Sequence, residues 1–400
     1  MNKNRRFGMK EFDVLVVGAG PAGSTVAQVA AEKGLEVLLV DKLKSGAPRK
    51  ACGGILPDCY AKEIPKELVD GKLRGGSYHS PSGYLAEVEF PVPLSVIARE
   101  KLDLHMARKA AENGAVFKQG TVAERFVKRG DKIKTKLKSG GKTKTVQCKV
   151  LVGADGVPST VARSFGLVSA TSPGDYVCCH EYFVDVSAGS IEGISSDFFE
   201  MFYSTKYSNG FYAWLEPAGD YVIVGTGCTG GQASAKTSLN EFVRKGPIAS
   251  KKCLRKIAQE KAGVIWLGQP KRTYAERVIL VGDAAGMASP FSGEGIYYAI
   301  TAGKIAGDLL AEALSDENEK IMYYLKLYEQ QWKKKFYWEH ERNALLRSYF
   351  MKNDRRLDFW VRALKHKTLN NYVAAHLSRV RPTSLFEEFK ILLKILLTVY

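Results

Sequence analysis

The spacing of apolar positions divides this chain into stretches of different texture. Phe12-Asp13-Val14-Leu15-Val16-Val17 is an apolar run of strand length. Ser24 to Lys33 is Ala-rich and predicts a helix. Val37-Leu38-Leu39-Val40 predicts a second strand, ending on Asp41. From Ser77 to Pro93 apolar and polar residues alternate between Pro and Gly, the pattern of strands in a second sheet. Ile97 to Asp103 opens a helix that runs to about Asn113-Gly114, whose glycine is a stop signal. Val116 to Val152 reads as small strands. There Lys132, Lys134, Lys136 and Lys138 alternate with Ile133, Thr135 and Leu137 as a solvated face, and Gly140-Gly141 makes a hairpin turn. Tyr176 to about Thr229, rich in aromatic and β-branched residues, predicts a broad antiparallel sheet. Ser238 to Ala262 reads as a polar helix, and Arg277 to Val281 as another buried strand. Ser289 to Ile296 opens a long Ala-rich helix ending near Leu314, and from Met322 the chain reads as helical.

Glycines sit at the ends of three of the predicted strands. Gly18-Ala19-Gly20-Pro21-Ala22-Gly23 lies between the first strand and its helix, and Asp41 follows Gly23 by 18 residues. In that context the glycines have distinct uses. Gly18 allows the tight turn, Gly20 lets backbone approach a pyrophosphate, and Gly23 lets helix and strand pack closely. The helix N-terminus offers N–H groups and the positive end of its dipole to phosphates. Asp41 is placed to accept from a ribose hydroxyl. Gly153-Ala154-Asp155-Gly156 closes a second strand and sets an acid beside a cofactor. Gly282-Asp283-Ala284-Ala285-Gly286 closes a third. The reading is α/β (α+β): a discontinuous dinucleotide-binding domain (1–75, 96–168 and 270–320), an inserted antiparallel-sheet substrate domain (76–95 and 169–269) and a C-terminal helical region (321–400).

Other residues stand out within that frame. Ala51-Cys52-Gly53-Gly54 follows the ribose-binding strand, where two glycines let backbone approach something flat. Arg99 sits in the first turn of a helix, against the dipole, an arrangement suited to an Arg that reaches an anion. Tyr212 and Trp214 are two apart, so on a strand both rings face one side and can line a slot for a flat or greasy ligand. Cys178 and Cys179, adjacent in a strand, point to opposite faces and make a poor metal pair. No metal site is expected.

Composition narrows the function. Seven cysteines, an odd number, fit no disulfide framework and suit a reducing, cytoplasmic compartment. No apolar run is long enough to span a bilayer, and Met1 to Lys10 is not a signal peptide. The net charge is +17, and residues 331–400 hold 15 Lys/Arg against 6 Asp/Glu. No nucleic-acid recognition motif accompanies this charge. It fits a solvated basic surface, an anionic lipid substrate, or peripheral contact with an anionic membrane. The apolar end, Phe386 to Tyr400, either lies in a membrane interface or packs on its own protein.

The three glycine motifs, in this order, resemble flavoproteins with the para-hydroxybenzoate hydroxylase fold. Lys50-Ala51-Cys52-Gly53-Gly54, the Tyr-x-Trp-x-x-Pro of 212–217 and Ser292-Gly293-Glu294-Gly295-Ile296-Tyr297 resemble geranylgeranyl reductases more narrowly. One departure is Glu216, where that family usually has an aromatic residue. The resemblance implies non-covalent FAD. Gly18, Gly20, Ala22 and Gly23 would hold its pyrophosphate and Asp41 its ribose. Arg99, Asp155, Gly282 and Asp283 would hold the phosphate and ribityl region, with Val122 also contacting the cofactor. Gly295 and Ile296 would lie under the flavin edge, and Cys52, Gly53 and Gly54 beside the ring. It further implies hydride transfer to an isolated double bond of a geranylgeranyl lipid, with NADPH or ferredoxin as reductant. Cys52, Tyr212 and Trp214 are the candidate catalytic residues. Cys52 or a trapped water would supply the proton, and the two rings would face a developing cation. An FAD-dependent monooxygenase or halogenase on the same fold is the competing reading, with a quinone-reducing flavoprotein behind it.

Overall fold

The structure, a computed structural model, describes residues 10–380 apart from 45–46, 48, 168–174, 187–192, 230, 250–256, 269–271 and 316–319. The chain opens with β1 (Lys10–Val17), α1 (Pro21–Glu32) and β2 (Val37–Val40). Next come β3 (Ile55–Leu56), α2 (Asp58–Ala61), β4 (Gly71–His79), β5 (Leu85–Val96) and α3 (Arg99–Glu112). β6 (Val116–Lys118), β7 (Thr121–Arg129), β8 (Lys132–Ser139), β9 (Lys142–Gly153) and α4 (Thr160–Ser164) follow. The middle of the chain holds β10 (Tyr176–Asp185), β11 (Phe198–Phe202), β12 (Ala213–Ala218), β13 (Tyr221–Cys228), α5 (Gln232–Lys245) and β14 (Ile257–Trp266). It returns through β15 (Tyr274–Ala275), β16 (Val278–Leu280) and α6 (Ile296–Ser315). The last helices are α7 (Ile321–Trp332), α8 (Trp338–Phe350), α9 (Asp354–Ala363) and α10 (Lys367–Ser378).

Two sheets result. The first runs β15-β16-β9-β1-β2-β6, with β8 beside β9 and β7 beside β8. β1 lies parallel between β2 and β9, in the register Val14 to Val37 and Val14 to Val150. Every residue of β2 and the last four of β1 are buried. Strands covered on both faces need such unbroken apolar runs, which is why they were legible. α1 packs against α3 and α6. In β8 only Ile133, Thr135 and Leu137 are buried, so the lysine row faces outward as expected.

The second sheet runs β14-β10-β13-β12-β11-β4-β5-β3. It is mixed, because β11 pairs parallel with β4. It also begins earlier than expected, since β3 at Ile55–Leu56 pairs with β5 and β4 starts at Gly71. The two faces of β10 separate cleanly. Val177, Cys179 and Phe183 belong to the core that the C-terminal helices α9 and α10 also enter, while Tyr182 and Val184 pack under α5. Cys178 and Cys179 accordingly point apart, and Cys178 packs with Cys228.

The helix expected over Ser238 to Ala262 is corrected. The helix is α5 at 232–245, and 257–266 is β14, an edge strand that among the described residues pairs only with β10. Edge position leaves most of β14 exposed or half-exposed, and Lys261 is its inward residue. Its apolar alternation is therefore too weak to read.

The C-terminal helices join both cores. Tyr328 and Trp332 of α7 enter the core of the first sheet. Leu357, Trp360, Leu369 and Ala374 of α9 and α10 enter that of the second. Phe386 to Tyr400 lies outside the described residues.

Candidate active site

The strand ends, the second sheet and the N-terminus of α6 converge on one cavity of about 620 Å³. That lies within the roughly 300–1,000 Å³ of small-molecule and cofactor sites. Gly18, Gly20, Ala22, Asp41, Cys52, Gly53, Gly54, Arg99, Val122, Asp155, Tyr212, Trp214, Asp283, Gly295 and Ile296 all line it. Gly23 and Gly282 do not: Gly23 packs against the Gly18 carbonyl oxygen, which a Cβ there would meet at 1.9 Å, and Gly282 immediately precedes Asp283. Residues far apart in sequence thus share one space.

At one end α1 presents its N-terminus. Gly20 is the N-cap, no side chain caps the helix, and nothing lies within 4 Å of the place a Cβ would take at Gly20. Gly18, by contrast, has φ +105°, and a Cβ there would meet the Ala154 carbonyl oxygen at 2.2 Å. An uncapped helix start beside open space fits a phosphate. Asp41 is nearly fully buried, and its carboxylate is already engaged. It accepts from Ala19 N (3.0 Å), Leu43 N (2.8 Å) and Arg49 Nη1 (3.0 Å).

Three sequence-selected charges are held by partners that the sequence did not reveal. Arg99 reaches no isolated anion. Its guanidinium pairs one turn along its own helix with Asp103 (3.0 and 3.1 Å) and also reaches the Cys52 thiol. Asp155 turns its carboxylate to the start of α4, accepting from Ser159 Oγ and Thr160 N (both 2.6 Å) and from Val161 N (3.2 Å). What Asp155 offers the cavity is wall. Asp283 pairs with Lys50. Burial would raise its pKa, but the ammonium beside it holds the carboxyl below the ordinary range. Arg49 bridges Asp41 and Asp103. Arg49 and Lys50 were given no role from sequence, because their partners are brought near only by folding.

At the other end the second sheet supplies an aromatic slot. Tyr212 stacks on Phe211 (centroids 4.2 Å apart) and meets Trp214 edge-on (5.9 Å). The Trp214 ring lies flat over Gly225, where a Cβ would fall 2.2 Å from it. The Tyr212 hydroxyl donates to the Ser292 carbonyl. Burial pushes that hydroxyl's pKa well up, so it stays protonated.

Cys52-Gly53-Gly54 lies between these ends. Gly54 has φ +75°, and a Cβ there would strike the Ile97 carbonyl oxygen at 2.0 Å. A Cβ on Gly53 would strike Glu216 Oε2, also at 2.0 Å. The Cys52 amide donates to Glu181 Oε1 (3.0 Å). Glu181 was not singled out from the sequence, and Glu216 only as a departure from the family pattern. Burial first, and then the Glu181 charge, push the Glu216 carboxyl up to about 8. Burial pushes Glu181 up to about 7, and the Cys52 amide and Lys261 oppose the rise.

Comparison with known proteins decides the family. A model described as an FAD-binding domain matches residues 11–333. The digeranylgeranylglycerophospholipid reductase of Methanosarcina mazei is 34% identical over 340 residues, covering 81% of each chain. The chain belongs to the digeranylgeranylglycerophospholipid reductase family of FAD-binding flavoproteins. It is thereby an FAD-dependent oxidoreductase. A geranylgeranyl bacteriochlorophyll reductase-like protein of Thermoplasma acidophilum shares the fold, with a TM-score of 0.84, 24% identity and coverage of 98% of each chain. A flavin-dependent brominase also shares it, at TM-score 0.73 and 19% identity over 92% of this chain and 94% of that one. The cavity fits FAD by the open, uncapped α1 start at one end and the N-terminus of α6 at the other.

Proposed function

We propose that this protein saturates double bonds of the geranylgeranyl chains of an isoprenoid glycerophospholipid. The observation that carries the reading is the aromatic slot of Phe211, Tyr212 and Trp214, which opens onto the same cavity as Cys52-Gly53-Gly54 and Gly295-Ile296. A relative named for that reaction supports it.

The residues have separable tasks. α1 and Asp283 anchor FAD, with Lys50 holding the Asp283 carboxylate in place. Gly295 and Ile296, at the start of α6, would set the positive end of that helix toward the bound flavin. Reduced FAD, when bound, supplies hydride. An isolated alkene has no carbonyl to polarise, so orientation and exclusion of water carry most of the effect. Tyr212 and Trp214 hold the chain and present their faces to positive charge that develops on it. Cys52 lines the cavity where the ring would lie, its amide fixed by Glu181. The reductant is NADPH or ferredoxin. The substrate is reached from an anionic membrane surface, with the protein on the cytoplasmic side.

The test is anaerobic incubation of dithionite-reduced protein with geranylgeranyl glycerophospholipid, diphosphate and chlorophyll-type compounds, read by mass spectrometry. Stepwise gains of two hydrogens on the glycerophospholipid are expected. Oxygen-dependent hydroxylation or halogenation with no such gain would overturn the reading.

A further inference from the structure

The second sheet buries two carboxyl groups against the Cys52-Gly53 turn, and the roles given so far leave one of them unused. Glu216 follows Tyr212 and Trp214 by even steps along the strand, so its carboxyl continues the row that begins with the two rings. It is 4% exposed, lines the cavity, and has its Oε1 without a hydrogen-bond partner among the described residues. Glu181 is fully buried with Oε2 likewise unpartnered among the described residues, while its Oε1 is fixed by the Cys52 amide. The chain makes room for Glu216 by having no side chain at Gly53. A buried acid with a free oxygen, seated at the turn beside the ring site, is not explained by stability.

We propose that Glu216 is the proton donor of the alkene reduction and that Glu181 is its positioning residue. This rests on the reductase reading above. The alkene π bond breaks, and its electron pair forms a C–H bond with the Glu216 proton as the O–H bond breaks. The other carbon takes hydride, with its electron pair, from the reduced flavin. Glu216 is left as carboxylate and regains its proton from water between turnovers.

The surroundings favour a proton on Glu216 near neutrality. Glu181 has Lys261 across from it on β14, and Arg99 acts on it from α3, so Glu181 ionises first. Glu100 draws Lys261 away in an ion pair (2.9 Å). The Glu181 charge then holds the proton on Glu216. The other titratable neighbours do not compete. Tyr212 and Cys179 are both raised by burial, and Tyr212 already donates to Ser292. Cys52 presents its amide to this pair.

Two measurements on the purified, FAD-loaded protein test this. Infrared difference spectra in H₂O and D₂O at pH 7 should show a buried protonated carboxyl, lost in Glu216→Gln and titrating away above about pH 8. In Glu181→Gln the same band should titrate at lower pH, because the charge that raises Glu216 is gone. In anaerobic single turnovers, Glu216→Gln should retain flavin and dithionite reduction but lose about 10²–10⁴-fold in alkene reduction, the usual contribution of a general acid. Alkene reduction by Glu216→Gln within tenfold of the parent would overturn the proposal. So would a missing infrared band, even if the parent reduces the lipid. A parent that reduces no geranylgeranyl compound, with the infrared band present, overturns the reductase reading and the proton-donor role with it.

Discussion

Gly53 and Glu216 show how one residue's absence of atoms serves another residue's chemistry. A methyl on Gly53 would need the space of the Glu216 carboxyl, which is buried at the cavity wall. Gly53→Ala is therefore expected to cost about 1–3 kcal/mol, the usual range for overpacking. Its φ is not in the left-handed region, so alanine itself is not strained there. In a Glu216→Ala background the same change should cost little. Urea unfolding of the four-member cycle measures the coupling, and additive effects would show that the two do not meet. Asp283→Ala leaves Lys50 without its partner and removes a charged acceptor from the cavity. Loss of a charge-assisted hydrogen bond, about 1.5–3 kcal/mol, predicts roughly 10- to 100-fold weaker FAD retention. Flavin absorbance after dialysis checks it, and unchanged occupancy contradicts the role. Gly18 to Gly23 and Asp41 were readable because their whole context lies within forty residues. Lys50 and Glu181 were not, since their partners lie 233 and 129 positions away.

At the scale of elements, the join between α10 and the start of α6 matters most to the site. Arg379, just past α10 and in a left-handed conformation, bonds Glu294 in the loop before α6, Glu339 on α8 and the Tyr298 hydroxyl on α6 (2.8 Å). All three charged side chains are largely buried. Removing Arg379 takes the cation from Glu294 and leaves Glu339 with His376 alone (3.1 Å), so Arg379→Ala should destabilise by about 3–5 kcal/mol. Burial would raise the pKa of Glu339, but His376 and Arg379 override it and hold the carboxyl well below its ordinary value. A depressed carboxyl contributes stability above its unfolded pKa of about 4.3 and loses it as pH falls below that value. The parent should therefore lose stability between about pH 4.3 and more acid conditions, and Arg379→Ala should lose less over the same window. Denaturant unfolding as a function of pH reads both, and parallel curves would separate Arg379 from Glu339. Nothing in the sequence marked Arg379, because its left-handed turn and its three partners come from packing between helices. α6 was legible almost to the residue, since both its glycine start and its Ala-rich body are local signals. β14 was not, because an edge strand with an inward lysine shows no clean alternation.

The whole molecule carries its charge unevenly, and the fold decides where that charge can act. The basic helices are anchored, with α7 in the first core and α9 and α10 in the second. Between them α8 shows Trp338, Leu345 and Tyr349 at 62%, 71% and 49% exposure, on positions that share one helix face. Lys334, Lys335 and Lys352 are exposed at the two ends of that face. No helix among the described residues is long and apolar enough to cross a membrane. The proposed membrane contact is then peripheral, with two contributions. Basic residues add roughly 1 kcal/mol each near an anionic surface, screened beyond about 8–10 Å. Exposed apolar residues add anchorage that salt does not screen. Co-sedimentation with phosphatidylserine vesicles separates them. The full chain should bind at low salt and keep part of its binding at high salt. Leu345→Glu should lose the salt-resistant part if α8 supplies it, and a chain ending at Leu385 should lose it if the apolar end does. If the full chain leaves anionic vesicles unbound even at low salt, the basic helices serve packing alone, and the lipid must reach the cavity by another route.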